Sequence, residues 1–69
     1  MSEIVFLVEE AAEGGFTAKA LGESIITEAN DLAELRSNVR DAVQCHFEIE
    51  VQRPKVIRLH FVRDEVIAT

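Results

Sequence analysis

The chain has 69 residues, which is one small domain. A domain of this size buries only about 60% of the surface its unfolded chain exposes, and one core supplies only about 3–5 kcal/mol unless a disulfide, a metal or self-association adds to it. The single cysteine, Cys45, excludes an internal disulfide, one Cys with two His is a poor set for zinc, and a formal net charge of −6 disfavours nucleic acid as a direct ligand; self-association, as a homodimer or larger homo-oligomer, is the expected aid.

Ile4-Val5-Phe6-Leu7-Val8 is a continuous apolar run rich in β-branched residues. It reads as a strand buried on both faces and central in its sheet. Glu9 to Gly15 follows, and Gly14-Gly15 supplies the positive φ of a hairpin connection. Phe16 to Leu21 alternates, with Phe16, Ala18 and Ala20 on one face and Thr17, Lys19 and Leu21 on the other, and forms the second strand. Gly22-Glu23 makes a second tight turn into a short edge strand, Ser24-Ile25-Ile26-Thr27.

A helix from Leu32 to Phe47 follows. Asp31 and Glu34 have the spacing of a capping box, in which the Asp31 side chain accepts from the Glu34 backbone N–H and Glu34 reaches back to Asp31. Leu32, Leu35, Val39, Ala42, Val43, His46 and Phe47 fall within about 140° of arc, a core-facing stripe flanked by Arg36 and Arg40. Glu48 to Arg53 reads either as a helix end with a loop or as an extended run, since Ile49 and Val51 alternate with polar residues, and Pro54 punctuates it. Lys55 to Arg63 alternates again, with Ile57, Leu59 and Phe61 on one face and Arg58 and His60 on the other. Val66-Ile67 either extends this strand beyond a bulge at Asp64-Glu65 or makes a separate contact.

The predicted fold class is therefore α+β, in the order β-β-β-α-β. The first three strands form a meander, and the helix returns the chain so that the last strand runs parallel to the first. Placing the last strand beside the first explains why Ile4 to Val8 is apolar on both sides, and the expected four-stranded mixed sheet has the order 3-2-1-4 with one helix on one face.

No arrangement of residues specifies catalysis. Cys45 and His46 are adjacent on a helix and point about 100° apart, so they do not form a dyad. His46 lies on the apolar stripe, where a packed or hydrogen-bonded core histidine is the plain expectation. His60 is a sheet-face residue. Glu9-Glu10 and Asp64-Glu65 are adjacent acids in turns and lack the two distinct environments that acid–base chemistry needs. Neither a phosphate loop nor a dinucleotide fingerprint is present. No enzyme activity, metal or cofactor is expected. Ile4 to Val8 is far too short to span a membrane and no basic region precedes it, so a cytoplasmic location without membrane contact is expected.

Gly14-Gly15-Phe16 at the hairpin, Thr27 at the third strand, and Leu32, Glu34, Asn38, Arg40, Asp41, Ala42 and Val43 on the helix resemble the HicB family of antitoxins over residues 3–47. Arg53 to His60 looks like a compact, stand-alone subgroup of that family. Ala29 stands where the family usually has Gly, and Asp31 where it usually has Thr, although Asp caps as well. The chain has no counterpart of the ribbon-helix-helix or helix-turn-helix domain that many members carry after the last strand, so direct DNA contact is not expected. The resemblance implies a HicB-like fold, similar to a truncated ribonuclease H core, and a protein that binds and inhibits a basic, messenger-RNA-cleaving HicA-type toxin. The alternative is a stand-alone HicB-like interaction module with another partner or a structural role. A small-molecule-binding module would need an apolar pocket on the open sheet face, where Thr17, Lys19 and Arg58 are expected.

The charge distribution suits a basic partner. Residues 1–34 hold eight acids against Lys19 alone, a charge of −7, whereas residues 35–69 hold five acids and six bases, a charge of +1. Glu9, Glu10, Glu13, Glu23 and Glu28, in or beside the turns of the acidic half, are the candidate partner-binding residues; solvated loop charges are the plain alternative for each.

Overall fold

The computed structural model describes residues 2–69. Strand β1 (Glu3–Glu10) runs antiparallel to β2 (Phe16–Ala20), β2 runs antiparallel to β3 (Ile26–Ala29), and helix α1 (Leu32–His46) leads through a single 3-10 turn (Glu50–Gln52) into β4 (Val56–Val62), which pairs parallel with β1. The sheet order is β3-β2-β1-β4, as the sequence pattern predicts.

The core forms between one sheet face and α1. Ile4, Phe6 and Val8 of β1, Ala18 and Ala20 of β2, Ile25 and Ala29 around β3, and Leu35, Val39 and Val43 of the helix are all buried, and Phe16, Leu32, Ala42, Phe47, Ile57 and Leu59 pack at its margin. The helix lies closest to β3 and β2. The physical reason is side-chain size: β2 and β3 present alanines to it, while β1 and β4 present Ile, Phe, Val and Leu, which hold the helix axis away from them.

Local chemistry sets the element boundaries. Asp31 adopts the extended backbone of an N-cap, and its side chain accepts from Glu34 N–H at 2.8 Å. At the other end Phe47 leaves helical geometry and its N–H donates to Val43 O at 3.0 Å. The β1–β2 hairpin turns through Gly14 and Gly15, at φ 100° and 84°. A Cβ on Gly15 would lie 2.6 Å from Ala29 O, so the position needs glycine for space as well as for φ.

Several expectations are corrected. β3 starts at Ile26, two residues later than expected, and continues past Thr27 to Ala29. The turn after β2 is longer than two residues, so Ile25 drops into the core, its carbonyl accepting Ala20 N–H at 2.9 Å, while Ile26 pairs with Lys19 and is 68% exposed. β1 is covered by α1 on one face only; Val5 and Leu7 on the other face are half-buried among their strand neighbours. Of the two readings left open for Glu48 to Arg53, the loop is the one found, with one 3-10 turn, held where Arg53 Nε donates to Phe47 O at 3.0 Å. Val66 and Ile67 neither extend β4 nor pack on the protomer: they are 95% and 78% exposed.

Candidate protein-interaction surface

The carboxylates at the hairpin end are positioned by strand register. Thr17 lies opposite Glu9 on β1 and opposite Glu28 on β3, and Glu9 lies opposite Val62 on β4. Glu28, Thr17, Glu9 and Val62 therefore form one row across the sheet face turned away from the helix. Glu10 ends the same strand on the opposite face, and Glu13 sits in the hairpin loop, which is ordered by Ala11 N–H donating to Gly15 O and Gly14 N–H donating to Ala11 O, both at 3.0 Å. A groove of about 350 Å³ beside the hairpin is lined by Glu28, Glu34, Asn30 and Thr17 among others, and a second of about 350 Å³ by Glu9, Glu10, Asp64 and Arg63 among others.

Glu9, Glu10, Glu13 and Glu28 are all exposed, and among the described residues none of them takes part in an ion pair. Glu23 is different. It lies in the turn after β2, at the opposite end of the sheet, where its Oε2 is 3.2 Å from His46 Nε2. The structure thus brings four of the candidate carboxylates to one end of the molecule and leaves the fifth at the other. The pairing also corrects the reading of His46: its side chain is 36% exposed at the last turn of α1, with its ring edge-on to Phe47, rather than packed in the core.

Two further surfaces carry no signal in any motif. The sheet face away from α1 has no covering layer among the described residues and exposes Leu21, Ile26 and Val56 beside half-buried Val5 and Leu7, with Lys19, His60 and an Arg58–Glu3 ion pair of 2.6 Å between them. On the other face, where α1 leans away from β4, a groove of about 270 Å³ opens between helix and strand, lined by Val39, Ile57 and Leu59 with Arg36 and Arg40. The apolar character of β1 on both sides, in a chain with only one predicted helix, was the available sign that one face lacks cover.

Among the described residues no polar or charged side chain is buried, and no three His, Cys, Asp or Glu side chains gather to hold a metal ion. Among the same residues no helix is long and apolar enough to cross a membrane.

Fold and surface together define a small α+β domain, a mixed β3-β2-β1-β4 sheet under a single helix with an acid-rich hairpin end. Within that class the chain belongs to the UPF0150 protein family. It is 57% identical over 53 residues to a UPF0150 protein of Archaeoglobus fulgidus, covering 77% of each chain. It is 39% identical over 66 residues to a UPF0150 protein of Thermotoga maritima, covering 96% of this chain and 91% of that one. No family model matches the chain, and no solved structure matches it at a significant level.

Proposed function

We propose that the chain is a HicB-like antitoxin, which binds a basic HicA-type messenger-RNA-cleaving toxin by direct protein contact and so inhibits it in the cytoplasm. The observation that carries this reading is the cluster of Glu9, Glu10, Glu13 and Glu28 at one end of the sheet, exposed and, among the described residues, without ion-pair partners. Carboxylates held in this way make the local potential negative and steer a cationic partner toward the hairpin end. The likeness of the hairpin and helix residues to HicB antitoxins supplies the identity of that partner. The role is inhibition by occupancy rather than catalysis, with no cofactor or metal and no direct contact with nucleic acid.

A second reading, an interaction module for another protein, is favoured by the uncovered sheet face with Val5, Leu7, Leu21 and Ile26, a surface suited to an apolar rather than a basic partner. Co-expression with the small open reading frame adjacent to the gene separates the two. The antitoxin reading expects a neighbour that arrests growth alone, is relieved by this chain, and co-purifies with it. A neighbour that is harmless, or that does not bind, overturns it in favour of the second reading.

A further inference from the structure

The groove between α1 and β4 has a charge opposite to that of the molecule as a whole. Arg36 and Arg40 rim it beside Val39, Ile57 and Leu59, and it continues along β4 past Arg53 and Lys55 to buried Pro54. Among the described residues no acid lines either stretch, in a chain of net charge −6. Beside it runs β4, whose outer edge has no partner strand among the described residues and which exposes Val56 and Phe61. An unpaired apolar edge next to an apolar groove invites a further segment of extended chain.

The complementary segment is present in the same sequence. Asp64-Glu65-Val66-Ile67 places two acids directly before two apolar side chains, all exposed. The segment leaves β4 without turning back, and it contributes to a molecule measuring 52 × 19 × 18 Å. From Arg63 to Thr69 an extended chain reaches about 23 Å at roughly 3.3 Å per residue, which matches the length of the seven-residue β4. Val62-Arg63-Asp64-Glu65 contains none of the Gly or Asn residues that a tight return onto the same strand requires, so the segment cannot readily fill its own groove.

We infer that the arm Arg63–Thr69 of one copy docks along the α1/β4 groove of a second copy, with Val66 seated on Val39, Ile57 and Leu59, Asp64 on the same face of the extended arm directed toward Arg36 and Arg40, Glu65 and Ile67 on its other face, and the exchange reciprocal about a two-fold axis. A reciprocal exchange closes as a dimer and covers both the arm and the groove of each protomer. Arg63 and Asp64 also line the groove beside Glu9 and Glu10, but the inference is tested separately from the antitoxin reading, since self-association is read on this chain alone.

The test is the solution mass of the full chain by light scattering coupled to gel filtration, with circular dichroism as the check on folding. The expected result is a dimer for the unmodified chain and a monomer, equally folded, for Val66→Asp/Ile67→Asp. The charge-reversed pair identifies the occupant. Arg36→Glu/Arg40→Glu and Asp64→Lys/Glu65→Lys are each expected to weaken self-association at least tenfold, and an equimolar mixture of the two variants to restore the dimer, because each arm then faces an opposite charge across the pair. A monomeric unmodified chain, a dimer untouched by Val66→Asp/Ile67→Asp, or a mixture that stays monomeric overturns the inference; the last result would mean that the arm folds onto its own groove or docks elsewhere.

Discussion

Gly15 is the residue on which the hairpin depends most. Its φ of 84° is costly for any other residue, and an added Cβ would meet the backbone oxygen of Ala29 at 2.6 Å. Gly14 has a similar positive φ, 100°, but faces open space. Gly15→Ala is therefore expected to lower stability by about 2 kcal/mol or more and Gly14→Ala by about 1 kcal/mol, an order that urea midpoints would check. Asn38 matters for a different reason. Its Nδ2 donates to Glu28 O at 2.9 Å, tying the helix to the outer strand. Asn38→Ala should cost about 1 kcal/mol, and amide exchange should quicken in β3 more than in β1.

At the scale of elements, the placement of α1 follows from three alanines. Ala18, Ala20 and Ala29 are buried beneath it, and their small side chains let the helix approach β2 and β3. Interiors are packed closely enough that adding volume there shifts backbone. Ala18→Leu is expected to destabilise by about 1–3 kcal/mol through overpacking, seen as a lower thermal midpoint. Leaning toward the alanines is also what opens the groove beside β4, so one packing choice both builds the core and leaves an open cleft. The N-terminal cap works locally: Asp31 satisfies one of the free N–H groups of the first turn, and Asp31→Ala should lower stability by about 1 kcal/mol without altering the sheet.

At the scale of the whole molecule, charge is separated. Acids gather at the hairpin end, where Glu9 and Glu28 share a row of the sheet with Thr17 between them, and cations rim the groove between α1 and β4. If the hairpin end meets a basic partner, Glu9→Lys/Glu10→Lys should slow association by about tenfold or more at low ionic strength and flatten its salt dependence. Stopped-flow mixing over a range of salt would measure both, and an unchanged on-rate at low salt would remove these residues from the interface. Both side chains are exposed, so the double substitution should leave the fold intact.

The order of elements and the Asp31 cap were legible in the sequence because each rests on short-range periodicity or on neighbours three residues apart, and the order of strands followed from the connections, two short turns making a meander and a helical crossover returning the last strand parallel to the first. Ile25 and Ile26 show the limit of that reading: two identical side chains carry no local information about which one faces the core, and only pairing of Ile26 with Lys19 decides it. His46 shows another. A helical projection places it on the apolar stripe, but the last turn of α1 sits beside the turn that carries Glu23, and the two side chains meet at the surface. The acidic residues were visible as a list, whereas their division between the two ends followed from the alternating direction of successive strands. Sequence alone determined which elements form, because they are encoded within a few residues, and which strands are neighbours, because the connections between elements allow few arrangements; tertiary structure decided which face of β1 is covered, where the helix leans and which charges share a surface, because those depend on side-chain volumes brought together from distant parts of the chain.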